Sequence, residues 1–206
     1  MTPDRSPQER AARWDALAPR YDGAMALVER RFLAGARRWI CERAHGDTLE
    51  VAIGTGASIP HYPPGVRLTG LDLSPAMLDR AARRAREEGR TIELHVGDAD
   101  VLHFPDGRFD TVVTAFALCG FPDERAALTE MLRVLRPGGS LLLADHVTST
   151  AAPLRWVQRG IDAVNSRRSD ERWIHRPLED LHAMGVEVVD TTREHHGIVE
   201  ALHARQ

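Results

Sequence analysis

Five short apolar runs, punctuated by glycine or proline and spaced by helix-length stretches, narrow this chain to a parallel α/β sheet. Phe109–Phe116 (FDTVVTAF) is nearly continuous in apolar residues. A strand has that composition when helices cover both faces of its sheet. Thr48–Ile53 is apolar and runs into Gly54-Thr55-Gly56, a buried strand entering a tight turn. Val66–Leu71, about Ile92–Val96 and Ser140–Val147 supply the other three strands. Ser74-Pro75 opens a helix to about Gly89, with Ser at the N-cap and Pro at the first helical position. A second helix, from about Asp123 to Leu135, is stopped by Pro137-Gly138-Gly139. Strand and helix in alternation predict βαβ units with right-handed crossovers. The first 45 residues read as helical, with a break around Pro19 to Gly23. Val186–Val189 and Ile198–His203 are strand-like and joined by a link too short for a helical crossover, so they pair antiparallel. The expected fold is one doubly wound, mostly parallel seven-stranded sheet closed by a C-terminal antiparallel hairpin.

Composition removes several function classes. The net charge is -3, which gives no general attraction to nucleic acid. All 27 basic residues are Arg and Lys is absent, a mark of a GC-rich coding genome more than of chemistry. Cys41 and Cys119 are far apart and outside any CxxC pair, so a reduced, cytoplasmic setting is expected. Residues 1–22 are polar and lack the apolar core of a signal peptide. The longest apolar stretches are strand-length, too short to span a membrane.

The chemistry-bearing residues fall at the carboxyl ends of successive strands. Glycines after Ile53 let the backbone come close to a ligand at that edge. Glu50 is an acid inside an apolar strand, costly to bury without a partner. Asp72 follows Gly56 by sixteen residues, at the end of the second strand, where an acid can accept hydrogen bonds from ribose hydroxyls. Gly97-Asp98-Ala99 closes the third strand, with Asp98 set to accept an adenine amine and the Ala99 amide set against the ring. Ala115–Leu118 follows the fourth strand, at the switch point where open α/β sheets bind ligands. Each piece alone is an ordinary turn or helix cap. Their alignment on one edge makes them a nucleotide-type site.

Those runs resemble the class I S-adenosylmethionine-dependent methyltransferases: LEVAIGTG, TGLDLSPAMLDRA, GDADVLHFPDGRFDTVV and LRVLRPGGSLLLADH. Within them the chain resembles the ubiquinone/menaquinone C-methyltransferase and phosphatidylethanolamine N-methyltransferase group, over about residues 11 to 147. The resemblance implies S-adenosylmethionine as cofactor and S-adenosylhomocysteine as product. It implies that Gly54, Thr55 and Gly56 pass under the methionine portion, with Glu50 orienting the loop and the amino group. Asp72 would hold the ribose, Leu73 and Met77 would pack near the adenine, and Asp98 and Ala99 would read its edge, with Ala115 on the switch-point segment. Trp14, Ala18, Tyr21 and Asp22 match a Trp-x-x-x-Ala-x-x-Tyr-Asp entry, which implies that Tyr21 closes over the cofactor. Ala52 departs from the pattern, since the family loop carries Gly there. The implied organisation is one methyltransferase domain over 1–206: a helical lid (1–45), a cofactor-binding core (46–147), and a substrate segment with the terminal hairpin (148–206).

Methyl transfer from a sulfonium is direct displacement, so a base is needed only when the nucleophile arrives protonated. His146, at the end of the fifth strand, is the candidate base. His195 and His196 lie in the hairpin link, while His61 and His103 read as loop or surface residues. The spacing offers no third ligand for a metal site, and none is expected. Substrate selection is assigned to the N-terminal helices and to Thr148–Pro177, where Arg155, Arg159, Arg167, Arg168, Arg172 and Arg176 accompany Trp156 and Trp173. The Arg-rich amphipathic run Ala24–Ala44 suits a helix covering the sheet better than one resting on a membrane. The expected acceptor is a small molecule (an amine, phenol or natural-product scaffold), taken by a monomer or homodimer. A lipid head group or quinone is the second choice. An NAD-dependent oxidoreductase fits less well, because the third glycine position of its fingerprint is Ile59. A cofactor-binding protein without turnover is a further alternative.

Overall fold

The computed structural model describes residues 6–149 and 176–206. Helix α1 (Pro7–Val28) begins at Ser6 in a capping box with Glu9. A π-helical turn (Glu29–Leu33) leads into α2 (Ala34–Cys41). Strand β1 (Asp47–Val51), β2 (Arg67–Asp72), α3 (Pro75–Glu87) and β3 (Glu93–Val96) form the first half. Strand β4 (Phe109–Ala115), α4 (Glu124–Val134) and β5 (Leu135–His146) form the second. Past the segment outside the described residues come α5 (Pro177–Ala183), β6 (Glu187–Glu194) and β7 (Val199–Arg205).

The seven strands lie in one sheet in the order β3-β2-β1-β4-β5-β7-β6. β1 to β5 pair in parallel, whereas β7 runs antiparallel to both β5 and β6. The expected sheet and terminal hairpin are therefore both present. The fold is Rossmann-like, and the order reverses between β1 and β4, which opens a cleft beyond their carboxyl ends. Alternation within β4 explains the double winding: Val112 belongs to the core beneath α4, while Val113 belongs to the core beneath α2 and α3.

Two local expectations need correction. The break at Pro19 to Gly23 does not occur, and α1 runs through Pro19. Proline removes one helical donor, but tertiary contacts hold the helix on either side of it. Asp15 accepts bonds from the Ser74 hydroxyl and the Ala76 amide, and the Pro19 carbonyl accepts from Arg80. The irregularity falls instead at Glu29–Leu33. The second correction is the start of β5. Leu135 already pairs with Phe109, and Pro137-Gly138-Gly139 forms a bulge before pairing resumes at Ser140 with Thr111. Among the described residues, no helix is long and apolar enough to cross a membrane.

Candidate functional site

The glycine turn after β1 is shaped by left-handed backbone. Gly54 has φ 56°, and a Cβ added there would meet no atom within 4 Å, so its open side is room for a ligand. Gly56 serves another purpose. A Cβ there would lie 2.5 Å from Ile59 Cδ1 and 3.1 Å from the Ala81 backbone, so this glycine lets α3 pack onto the loop. Ala52 carries φ 56° as well. That conformation costs an L-residue with a Cβ. Ala52→Gly is expected to raise stability by about 0.5–1 kcal/mol, the relief outweighing the added unfolded-chain entropy. Thermal unfolding should shift upward by roughly 2 °C; a downward shift would refute the strain argument.

Asp72, buried at the end of β2, fastens this turn to α3. Its Oδ2 accepts the Gly54 amide at 2.8 Å and its Oδ1 the Ser74 amide at 2.9 Å. Burial pushes its carboxyl above the ordinary range, against the pull of those amides. Ser74 caps α3 by accepting from Met77 N at 3.1 Å.

Glu50 turns away from the cleft into a buried polar network. Tyr62 donates its hydroxyl to Glu50 Oε2 at 3.0 Å, and Ser58 also hydrogen-bonds the carboxyl. Arg37 reaches Ser58 Oγ at 3.0 Å and grips Glu29 through Nε and Nη2 at 2.7 and 3.0 Å. Burial pushes the Glu50 carboxyl up to about 7, although Ser58, Arg37 and Tyr62 oppose the rise. The partner that an acid in an apolar strand requires is thus supplied by Tyr62 and Ser58. Neither carries a local sequence signal that connects it to Glu50.

Helix α1 roofs the strand tips through residues far away in sequence. Arg10 forms a two-pronged ion pair with Asp98, Nη2 to Oδ2 at 2.5 Å and Nη1 to Oδ1 at 3.4 Å. Asp22 accepts the Thr55 hydroxyl at 2.6 Å and Arg84 at 3.0 Å. Trp14 and Tyr21 meet edge to face, 6.1 Å between ring centroids.

Roof and strand tips enclose a cleft of about 1260 Å³. Tyr21, Gly54, Thr55, Asp72, Leu73, Met77, Asp98, Ala99, Ala115 and His146 all line it, so most of the residues singled out in the sequence converge. Glu50 and Gly56 stand behind that wall. Ligand cavities for drug-sized molecules run to about 1,000 Å³, and this cleft lies above that range. Phe116, Phe121 and the hairpin-tip residues His195 and His196 form the end near His146. Asp145, buried beside His146, accepts the His146 amide at 2.7 Å and lies 3.1 Å from its Nδ1. The Cys119 amide donates to the other Asp145 oxygen at 3.3 Å. The segment carrying Arg155, Trp156, Arg159, Arg167, Arg168, Arg172 and Trp173 lies outside the described residues.

Residues 49–143 match the family described as a methyltransferase domain. Phosphatidylethanolamine N-methyltransferase of Cereibacter sphaeroides is 40% identical over 118 residues, 56% of this chain and 58% of that protein. Demethylmenaquinone methyltransferase of Renibacterium salmoninarum is 35% identical over 179 residues, 81% of this chain and 73% of that protein. The crystal structure of the cyclase SpnF superposes with a TM-score of 0.77, at 19% identity, covering 99% of this chain and 98% of that one. That last likeness concerns the fold alone.

Proposed function

The chain belongs to the S-adenosylmethionine-dependent methyltransferase family, and from that premise we propose that it binds S-adenosylmethionine and transfers the methyl group to a small-molecule acceptor. One observation carries the reading: Gly54, Asp72 and Asp98, from three separate strand ends, face a single cleft.

The donor supplies a methyl group on a positively charged sulfur, already activated for displacement. The residues of the chain bind, orient and exclude water. Gly54 and Thr55 offer backbone to the methionine portion, and Asp72 offers its remaining lone pairs to the ribose hydroxyls. Asp98 and Ala99 meet the adenine edge, between Leu73 and Met77. Tyr21 covers the donor from α1. The acceptor lies toward Phe116 and Phe121, with its nucleophilic atom against His146, the catalytic residue in this reading. An acceptor arriving as a hydroxyl or ammonium gives up its proton on that wall. Residues 1–45 act as the lid, 46–147 as the cofactor-binding core and 148–206 as the acceptor side, within one domain.

The acceptor class proposed is an amine, phenol or natural-product scaffold. The names of the relatives add quinone rings and lipid head groups as the second class. Two widely separated, buried thiols outside any disulfide support a reducing, cytoplasmic setting. The test combines calorimetry with turnover. S-adenosylmethionine and S-adenosylhomocysteine are expected to bind with one-to-one stoichiometry, and NAD is not. Methyl-labelled donor should then label one class in a panel of amines, phenols, quinols and phosphatidylethanolamine. Binding of NAD alone would overturn the reading. Donor binding with no product from any acceptor would favour a cofactor-binding protein without turnover.

A further inference from the structure

Three unlike ligand atoms meet at the acceptor end of the cleft. The Cys119 thiol, an Asp145 carboxylate oxygen and a His146 ring nitrogen all lie within 4.8 Å of one another. Cys119 sits on the short turn Leu118–Gly120 after β4, and Asp145 and His146 end β5. The β4–β5 ladder, in register through Ala115 and Ala144, brings these two chain segments together. We propose that Cys119, Asp145 and His146 hold one divalent transition-metal ion, zinc by its chemistry, with a coordination position left open toward the cleft.

The donor set argues for zinc. A thiolate, an imidazole and a carboxylate are its usual ligands, whereas magnesium and calcium take oxygen alone. The surroundings argue for a built site. Asp145 is held from behind by the Cys119 and His146 amides at 3.3 and 2.7 Å, the outer support that ligating carboxylates use. A carboxylate oxygen has two lone pairs, so an amide bond and a metal bond can share it. Oxygen and nitrogen ligands on one tetrahedral zinc stand about 3.3 Å apart. The Asp145 Oδ1 to His146 Nδ1 separation is 3.1 Å, close to that spacing. Exposure adds a direction: the Asp145 side chain is 1% exposed and that of His146 16%. Cys119 and His146 line the cleft. Among the described residues three protein ligands gather here, and three ligands with a fourth position for substrate are the arrangement of catalytic rather than structural zinc.

This inference rests on the proposed methyl transfer for its purpose, and gives the acceptor a chemistry. A hydroxyl, phenol or thiol bound at the open position releases its proton to water, because the ion stabilises the resulting anion. The lone pair of that oxygen or sulfur forms the new bond to the methyl carbon. The carbon–sulfur bond of the donor breaks as it forms, and its electron pair stays on the donor sulfur. The ion keeps its charge throughout. For such an acceptor His146 acts as a ligand of the ion in place of direct proton acceptance by its ring, and the proton leaves from the metal-bound acceptor.

The experiment uses the full chain, freed of metal by a chelator and titrated with zinc and with cobalt. One equivalent of either is expected to bind, and the cobalt form should carry a thiolate-to-cobalt charge-transfer band. Cys119→Ser should abolish that band. His146→Ala and Asp145→Asn should weaken zinc binding by about tenfold or more, while His103→Ala leaves it unchanged. Circular dichroism of each variant separates lost ligation from lost folding. Absence of cobalt binding, or binding indifferent to Cys119→Ser and His146→Ala, would overturn the site. Calorimetry with S-adenosylmethionine on the same samples keeps the two readings apart. Donor binding without metal binding sinks the zinc site alone, and loss of donor binding sinks the methyl-transfer reading.

Discussion

Asp72→Ala is expected to weaken S-adenosylmethionine binding by about 1–3 kcal/mol, roughly five- to 150-fold, through loss of charged hydrogen bonds. The structure adds a second effect. The carboxylate receives the Gly54 and Ser74 amides, so its removal orphans two backbone donors and loosens the glycine turn from α3. Stability should fall by about 1–3 kcal/mol as well. Asp72→Asn should be nearly as damaging, because one amide would then face the NH2 group of the new side chain. Calorimetry with the donor and thermal unfolding of the free protein measure the two effects separately. Unchanged affinity in a folded variant would count decisively against donor binding at this edge.

The second large effect is a pH dependence that Glu50→Gln removes. The Glu50 carboxyl is raised from 4.5 to about 7 by burial, so folding favours its protonated form. That contribution is fully present below pH 4.5 and is lost as pH rises through about 7. Across this window the wild-type protein should lose about 3 kcal/mol relative to the Glu50→Gln variant. The amide side chain of that variant still accepts the Tyr62 hydroxyl bond and stays neutral throughout. Urea unfolding of both proteins at pH 5, 6, 7 and 8 measures the difference. Curves that run parallel would mean that Glu50 is already ionised beside Arg37 at low pH.

What is legible in the chain is local. Val112 and Val113 on opposite faces of one strand, Ser74 before Pro75, and glycines after an apolar run are patterns within a few residues, each with its own mechanism. The short link between the last two strands dictates antiparallel pairing for the same reason. What is not legible is long-range choice of partner. The sequence places Asp98 at a strand end but gives no sign that its carboxylate also holds Arg10, 88 residues away. Cys119 and Asp145, 26 apart, show no metal-ligand spacing, and only strand pairing brings them together. Glu50 announces that it needs a partner but not that Tyr62 is that partner. Pro19 misleads because its local cost is offset by bonds from α3, which a single-segment reading does not contain.

Helix α1 stands on two groups assigned to the donor in the proposed function, Arg10 on Asp98 and Asp22 on Thr55. An occupant of the cleft therefore shares those oxygens with the roof or dislodges it. Substitutions on the first twenty or so residues would then register in donor affinity as strongly as changes at the strand ends. Ion pairs and hydrogen bonds thus tie α1 to the strand ends, so a change on either side is felt on the other.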